Sequence, residues 1–319
     1  MYAHFFPPKC KSSERLDGKT VVLTGCNTGI GKHNALDFCK RGARVIMACR
    51  SKERAEKAMN DILEELKEEK NIGVLIFKKL ELSSLDSVRN CAREILDEEP
   101  RIDILVNNAG IMMCPFEKTE DGVEKQFGTN HLGHFLFTLL LLPRIIKSAP
   151  ARIVNVSSVA HTWSNDTFDD INYEKTKYSP LKAYGRSKLA NVLFTKELAR
   201  RLEGTSVTTY AVHPGAVETE LGRHLDESYF SGLRSIIRFF GSWVLRTPVQ
   251  GAQTTIYCSV DKATAGETGL YYSNCRVTQP SNEAEDPDLA KKLWDVSSEL
   301  VKLGDFDPFA PEDASKAVQ

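Results

Sequence analysis

The feature that most constrains the fold is a valine-rich run followed by a glycine turn and a helical pattern. Val21-Val22-Leu23-Thr24 has the composition of a buried parallel strand, and residues 25–31 (G-C-N-T-G-I-G) follow it directly. Residues 32–41 carry apolar side chains at helical spacing and stop at Gly42, which is typical of the position after a helix end. Such a turn lets the backbone approach a ligand closely, and the helix N-terminus favours a pyrophosphate. The spacing G-x-x-x-G-x-G differs from the common dinucleotide fingerprint, so a purely structural turn stays open at this point.

The rest of the chain alternates strand and helix patterns. Further strands are predicted at residues 45–48, 74–82, 104–106, 153–156 and 208–212, and helices at residues 52–70 and 85–98. This alternation predicts an α/β fold with right-handed crossovers, namely a single Rossmann-type domain with a doubly wound parallel sheet and helices on both faces. The helix at 52–70 alternates Glu and Lys and is expected to be a solvated outer face. Residues 135–142 are apolar nearly all round and predict a helix buried on both sides, which leaves a homodimer open.

Tyr184 and Lys188 form a pair that can do acid–base chemistry. Four residues apart on a helix, they share one face. Lowering the pKa of a phenol from its reference value of about 10 to about 7 takes on the order of 4 kcal/mol. One positive charge at ~4 Å supplies a similar energy at the effective dielectric of a protein surface. The pair alone is also common on ordinary helix surfaces, so its chemistry depends on the other motifs in the chain.

Those motifs are present, in chain order. They are Asn107-Asn108-Ala109-Gly110, Asn130 within T-N-H-L-G-H, Ser157-Ser158, and His213-Pro214-Gly215-Ala216-Val217-Glu218-Thr219, the first, third and fourth each directly following a predicted strand. With the glycine turn and the Tyr/Lys pair, they make the chain resemble the short-chain dehydrogenase/reductase superfamily of the classical type, over residues 16–303. Segments such as A-C-R at 48–50, N-H-L-G-H-F at 130–135 and S-K-L-A-N at 187–191 resemble the retinol dehydrogenase branch, the vertebrate microsomal and photoreceptor enzymes.

The resemblance implies roles for individual residues. Tyr184 is expected to be the general acid or base, Lys188 to lower the pKa of the phenol, and Ser158, as the second serine of its pair, to bind the substrate oxygen. Ser157 would then be a core hydroxyl, and Asn130 would hold a water that links Lys188 to solvent. The expected cofactor-binding set is Gly25, Cys26, Asn27, Thr28, Gly29, Ile30, Gly31, Arg50, Glu81, Leu82, Asn108, Ala109, Gly110, Tyr184, Lys188, Pro214, Gly215, Val217 and Thr219.

The end of the second predicted strand bears on the choice of cofactor. Enzymes that select NAD usually place an Asp or Glu there for the ribose 2′-hydroxyl, whereas an Arg accommodates the 2′-phosphate of NADP. This chain has Cys49-Arg50-Ser51-Lys52 and no acid. A guanidinium pairs with a phosphate through two parallel hydrogen bonds, so NADP(H) is the expected cofactor. Arg50 as an ordinary surface cation would leave the missing acid unexplained. Glu81 replaces an aspartate that the superfamily usually has near the adenine.

Residues 222–265 are expected to be the variable, substrate-facing region. Apolar and aromatic side chains dominate residues 229–245, with Arg234, Arg238 and Arg246 at helical spacing. This pattern predicts a lid over an apolar pocket, an amphipathic helix on a membrane surface, or an ordinary packed helix. All three favour a hydrophobic substrate or surface. The predicted domain is residues 19–303, between an N-terminal extension (1–18) and a C-terminal tail (304–319).

Composition excludes several classes of function. A net charge of −1 offers no electrostatic footprint for nucleic acid. The eight cysteines form no C-x-x-C pair, which favours reduced thiols in the cytosol, and no bound metal is expected. The first 18 residues hold no apolar run that could span a bilayer or act as a signal peptide, so we expect a cytoplasmic protein, peripheral at most at the endoplasmic reticulum.

The expected function is an NADP(H)-dependent oxidoreductase that interconverts a lipophilic alcohol and its aldehyde or ketone, with retinol and retinal as the first candidates. A carbonyl reductase for sterols, isoprenoids or xenobiotics is the main alternative. A non-catalytic NADP(H)-binding scaffold is a third reading, and the intact Tyr184, Lys188 and Ser158 argue against it.

Overall fold

The computed structural model describes residues 9–217 and 245–311, and within them one twisted sheet organises the chain. Its eight strands are β1 (Thr20–Thr24), β2 (Arg44–Cys49), β3 (Val74–Lys79), β4 (Ile104–Asn107), β5 (Ala151–Val156), β6 (Val207–His213), β7 (Leu270–Ser273) and β8 (Arg276–Val277). The strand order is β3-β2-β1-β4-β5-β6-β7-β8, and every pairing is parallel except that of β7 with β8. The predicted doubly wound α/β fold is confirmed.

Helices cover both faces of this sheet. In the described residues the main ones are α1 (Gly29–Lys40), α2 (Lys52–Glu65), α3 (Leu85–Glu98), α4 (Gly133–Lys147), α5 (Pro180–Arg201), α6 (Pro248–Val260) and α7 (Pro287–Leu300). Side chains of α1, α2 and α6 share one apolar core with the sheet, and those of α3, α4, α5 and α7 share the core on the opposite face. Each face of the parallel sheet is therefore removed from water, as parallel sheets require.

Local chemistry explains where several helices begin. The side chains of Ser51, Ser84 and Ser179 each accept a hydrogen bond from a backbone N–H in the first turn of α2, α3 and α5. Helix α6 starts with a capping box between Thr247 and Gln250. These caps satisfy backbone donors that a helix start otherwise leaves unpaired.

Two predicted elements are longer in the sequence pattern than in the structure. Helix α2 ends at Glu65, although its charged pattern continues to residue 70. Leu66, directly after the helix, is the last buried side chain of this stretch, so packing against the core does not extend the helix further. Strand β3 ends at Lys79, not at residue 82, because its only neighbour, β2, ends at Cys49, the partner of Lys79. Tertiary geometry, rather than residue propensity, therefore sets both ends.

Helix α4 is buried by the chain itself. Every residue from Gly133 to Ile145 is buried, and α4 continues from a π-helical turn, Gly128–Leu132. Its apolar surface therefore needs no partner subunit to cover it, and the homodimer that the sequence left open loses this argument.

The parallel strands bring the sequence motifs to one edge of the sheet. β1 and β4 are neighbours, and the chain runs outward in opposite directions on either side of them. At such a crossover point the loops after the strands diverge and leave a crevice for a ligand. The glycine turn follows β1 and the N-N-A-G motif begins at the end of β4, so the fold itself places them on opposite sides of this crevice.

Candidate active site

A cleft of about 320 Å³ opens at this edge, within the size range of small-molecule sites. Residues from both halves of the sheet line it. The predicted site residues among them are Gly25, Asn27, Thr28, Gly29, Ile30, Gly31, Arg50, Glu81, Leu82, Asn108, Ala109, Gly110, Ser158, Tyr184, Lys188, Pro214, Gly215 and Val217. Cys26 and Asn130 do not line the cleft, and Thr219 lies outside the described residues.

The glycines of the turn stand at positions that do not suit a side chain, which lets a ligand approach the backbone closely. Gly25 and Gly29 have φ of +64° and +55°, which side chains rarely allow. A Cβ on Gly31 would lie 2.6 Å from Asn108 Nδ2 and overlap the carbonyl oxygen of Gly25. Thr28, the N-cap of α1, makes no side-chain hydrogen bond to the helix, so it does not cap the N–H groups of the first turn. This open N-terminus is the arrangement that binds a pyrophosphate.

The two sides of the crevice are joined by Thr24 and Asn108. Thr24 Oγ1 accepts hydrogen bonds from the backbone N–H groups of Asn108 and Ala109, at 2.9 and 3.0 Å. Asn108 Nδ2 donates in return to the carbonyl oxygens of Thr24 and Gly25. The turn after β1 and the end of β4 are therefore held in one fixed arrangement.

Cys26 does not contribute a side chain to the cleft. Its thiol is buried behind the turn, where it donates to the carbonyl oxygen of Leu23 and lies 3.5 Å from the Cys49 sulfur. The sequence pattern placed Cys26 among the ligand contacts because it lies inside the glycine motif. In the structure the turn directs this side chain into the core.

The outer end of the cleft is basic. Arg50 is 68% exposed, and its Nε lies 3.5 Å from Glu81 Oε2. Arg54, in the first turn of α2, lines the same end, and its backbone N–H is bound by the Ser51 hydroxyl. The sequence analysis did not single out Arg54, because the Glu/Lys alternation of α2 was interpreted as a solvated face. Its spacing of four residues from Arg50 was the available signal.

Tyr184 and Lys188 lie at the inner end, on α5. Lys188 Nζ is 5.7 Å from the centroid of the Tyr184 ring and donates to the carbonyl oxygen of Val156 at 3.1 Å. Both side chains are buried. A Cβ on Gly110 would approach Lys188 Nζ to 3.6 Å, so the glycine after β4 leaves the space beside the ammonium free.

Burial controls the protonation of both groups. It raises the pKa of Tyr184 to about 12, although a hydrogen bond with the Ser158 side chain acts in the opposite direction. Burial also lowers the pKa of Lys188 to about 8. In both groups burial is the main cause of the shift, since loss of hydration disfavours the charged form. Tyr184 is consequently protonated at neutral pH. The role of Lys188 in lowering the pKa of the phenol stays a prediction.

The two serines are divided as expected. The Ser157 hydroxyl is buried and donates to the carbonyl oxygen of Lys188 at 2.7 Å. Ser158 is half-buried, lines the cleft and caps the short 3₁₀ helix Val159–Trp163, where its Oγ accepts from the Ala160 N–H. Ser158 thus presents its hydroxyl beside Tyr184.

Asn130 lies behind the cleft, in the π-helical turn. Its amide is fully engaged: Oδ1 accepts from the Ile111 N–H, and Nδ2 donates to the Ile111 carbonyl and to the Ser187 hydroxyl. The expected water would therefore have to bind the Asn130 carbonyl oxygen, which already accepts from His134 Nδ1. The side chain positions the backbone instead of facing the ligand.

The loop after β6 covers the same side of the cleft. Arg246 donates from Nη1 to the Pro214 carbonyl, and Val217 pairs with Arg246 as an isolated parallel bridge. A Cβ on Gly215 would overlap the Arg246 side chain, which explains the glycine there. Of the predicted lid at residues 229–245, all but residue 245 lie outside the described residues. In the part of the chain that the structure describes, no helix has the length and apolar character needed to cross a bilayer.

Comparisons with known proteins identify the family of this chain. The family model of the short chain dehydrogenases matches residues 19–229. Human retinol dehydrogenase 12 is 49% identical over 295 residues, which cover 92% of this chain and 90% of that protein. Human retinol dehydrogenase 14 is 47% identical over 298 residues, which cover 90% and 88%. A crystal structure of an uncharacterised protein from Mycobacterium paratuberculosis superposes with a TM-score of 0.72 at 33% identity, over 93% of this chain and 98% of that one. The chain belongs to the short-chain dehydrogenase family, a family of oxidoreductases that bind nicotinamide cofactors.

Proposed function

We propose that the protein is an NADP(H)-dependent oxidoreductase that interconverts a lipophilic alcohol and its aldehyde or ketone, with retinol and retinal as the first substrates to test. The observation that carries this proposal is one cleft that holds the turn with Gly25, Gly29 and Gly31 and, at its inner end, Tyr184, Lys188 and Ser158. Asn130, also predicted as a site residue, lies behind the cleft and would act through its backbone.

In the proposed mechanism the nicotinamide cofactor supplies or accepts the hydride. Ser158 donates a hydrogen bond to the substrate oxygen and orients the carbonyl carbon. Tyr184, protonated at neutral pH, gives its phenolic proton to that oxygen in the reduction and becomes a phenolate; in the oxidation the phenolate form takes the proton from the alcohol. Lys188 holds its proton on a buried amine whose lowered pKa makes it an exchangeable donor. The glycine turn and the N-terminus of α1 bind the pyrophosphate.

The preference for NADP(H) rests on charge. The three residues directly after β2, Arg50, Ser51 and Lys52, include no acid, and Arg50 and Arg54 both lie at the outer end of the cleft. Two guanidinium groups favour a 2′-phosphate over a 2′-hydroxyl. Glu81, which pairs with Arg50, offsets part of that charge.

The lipophilic substrate is supported by relatives and by the surface near the site. The two human relatives are named as retinol dehydrogenases. Val159, directly after Ser158, and Leu181, three residues before Tyr184, are large apolar residues that remain exposed. Sterols, isoprenoids and apolar xenobiotic carbonyls would suit the same surface, so they remain the alternative substrates. A scaffold without activity would have no use for the buried Tyr184 and Lys188.

The proposal also covers the bounds of the domain, the location of the protein in the cell and its oligomeric state. The domain is proposed to span residues 19–303, with residues 222–265 as the substrate-facing region, in a cytoplasmic protein that contacts the endoplasmic reticulum membrane peripherally. The membrane contact stays a prediction, since residues 229–244, nearly all of the segment that would make it, lie outside the described residues. The homodimer also stays a prediction.

A substrate panel tests this proposal. Purified protein is incubated with retinal, a sterol ketone, an isoprenoid aldehyde and a small charged keto acid, each with NADPH or NADH, and the nicotinamide absorbance is followed. We expect turnover of lipophilic carbonyls with a higher kcat/KM for NADPH. Turnover with the keto acid alone would contradict the substrate class, a preference for NADH would contradict the cofactor, and no turnover at all would favour a scaffold.

A further inference from the structure

Two histidines outside the predicted site meet at the peptide bond directly after Ser158. This peptide group joins the Ser158 carbonyl to the Val159 N–H at the start of the 3₁₀ helix Val159–Trp163. His161 Nδ1 lies 2.7 Å from the Ser158 carbonyl oxygen, and His213 Nδ1 lies 3.2 Å from the Val159 nitrogen. One imidazole therefore contacts the carbonyl oxygen of this peptide group, and the other contacts its N–H.

The neighbouring contacts determine the tautomer of His161. Its Nε2 accepts a hydrogen bond from the Ser281 N–H at 3.1 Å, so Nε2 carries no proton. The proton of a neutral imidazole then lies on Nδ1, where it is donated to the Ser158 carbonyl. The ring is buried, with its centroid 4.9 Å from that of Tyr271, and burial lowers its pKa.

His213 has the opposite tautomer. Its Nδ1 accepts from two backbone donors, the N–H groups of Val159 and Gly215, the second at 3.4 Å. Its proton must therefore lie on Nε2. Burial, together with the nearby Arg246 and His161, lowers the pKa of His213 to about 4, which keeps the ring neutral. His213 thus ties the Ser158 segment to the loop that follows β6.

We propose that His161 and His213 are positioning residues that clamp the Ser158–Val159 peptide and so fix the direction of the Ser158 hydroxyl. The clamp rests on the proposed function, in which Ser158 orients the substrate oxygen. The Ser158 hydroxyl oxygen accepts a hydrogen bond from the Ala160 N–H at 3.1 Å, so its direction follows the backbone of this turn. Holding the carbonyl and the N–H at once prevents the peptide plane from rotating. The clamp acts through Ser158 and does not touch the reacting atoms.

A double-mutant cycle distinguishes this role from general support of the fold. His161→Phe keeps a ring against Tyr271 and removes both hydrogen bonds, whereas His161→Asn keeps a donor near the Ser158 carbonyl. We expect His161→Phe to lower kcat/KM roughly tenfold, as loss of one oriented hydrogen bond does, and His161→Asn to restore most of it. In a Ser158→Ala background, His161→Phe should have little further effect, because the hydroxyl that it aims is gone.

His213 is tested in the same way, with an added measurement because its second donor, Gly215, belongs to the cofactor loop. His213→Asn keeps an acceptor in place of Nδ1, and His213→Leu removes it. Of these two variants, we expect only His213→Leu to lower kcat/KM, and only in protein that retains Ser158. The Kd for NADPH, from nicotinamide fluorescence, separates any effect on the cofactor loop.

The tautomers provide a readout that does not depend on activity. In protein labelled with ¹⁵N-histidine, long-range ¹H–¹⁵N spectra should show the proton of His161 on Nδ1 and that of His213 on Nε2. The opposite tautomers, or an equal loss of kcat/KM from His161→Phe with and without Ser158, would overturn the clamp. If the wild-type protein turns over none of the substrates, the proposed function fails, while the spectra still decide whether the clamp exists.

Discussion

At the scale of single residues, the site is a set of groups whose charge is decided by burial. Tyr184 and Lys188 are both pushed towards their neutral forms, since each loses its hydration on folding. Arg50, by contrast, is mostly exposed and pairs with Glu81. The inner end of the cleft is therefore built for proton transfer and the outer end for binding an anion.

Exchanging charge at the outer end should change cofactor choice. Arg50→Ala is expected to weaken NADPH binding about tenfold, the effect of losing one charge-assisted hydrogen bond, and to leave NADH binding nearly unchanged. Arg50→Asp should narrow or invert the preference, because it opposes a 2′-phosphate with a negative charge. Titration of each variant with both cofactors measures this.

Glu81→Gln provides the matched control for Arg50. It removes the carboxylate 3.5 Å from Arg50 and keeps the size of the side chain. NADPH should bind more tightly to Glu81→Gln than to the wild type, and NADH equally well. Equal losses of both cofactors in Arg50→Ala would show that Arg50 does not read the 2′-phosphate.

At the scale of elements, the crevice depends on close backbone contact between the turn after β1 and the end of β4. Gly31 is the tightest point, since its missing side chain leaves space that Asn108 and Gly25 occupy. Gly31→Ala is expected to cost about 1–3 kcal/mol of stability and to weaken cofactor binding, because the loop must shift. Gly266→Ala, where a Cβ meets nothing within 4 Å, is the control and should change neither property. Thermal unfolding with and without NADPH measures both effects. Unchanged stability and cofactor binding in Gly31→Ala would argue against a close fit between the glycine turn and the cofactor.

Elements were predictable where the pattern is local. The strands and the glycine turn follow from apolar runs and glycines, and the motifs after β4, β5 and β6 fell at the edge that a parallel sheet dictates. The π-helical turn at Asn130 could not be predicted, because hydrogen bonds to Ile111 and Ser187, distant in sequence, hold it. The same limit applies to the ends of α2 and β3 and to the pKa of Tyr184, which depend on neighbours and burial that only the folded chain defines.

At the scale of the whole molecule, buried histidines couple stability to pH. His131 and His134 are buried in and beside α4, and burial lowers their pKa to about 3 and about 4. In the unfolded chain each would titrate near pH ~6.5. Below that pH the unfolded state binds more protons than the folded state, so the free energy of unfolding falls as the pH decreases towards the folded pKa. Above the unfolded pKa this contribution is fully present.

His131→Phe isolates one of these groups. The ring lies among Phe127, Phe135 and Phe194, so a phenyl group suits the site, although the contact with the Ser297 hydroxyl is lost. Below the unfolded pKa, the variant should lose up to about 1.4 kcal/mol per pH unit from the slope of stability against pH. Urea denaturation between about pH 7 and about pH 5 measures that slope. An identical slope in both proteins would mean that His131 does not resist protonation in the folded state.

The central claim, that Tyr184 transfers the proton in an NADPH-dependent carbonyl reduction, is tested most directly by Tyr184→Phe. The ring is kept and only the phenolic hydroxyl is removed from a buried position. Turnover of retinal with NADPH should fall by roughly 10²-fold or more, as expected for loss of a general acid, while the Kd for NADPH and thermal stability stay close to those of the wild type. Near wild-type turnover in Tyr184→Phe would contradict the account.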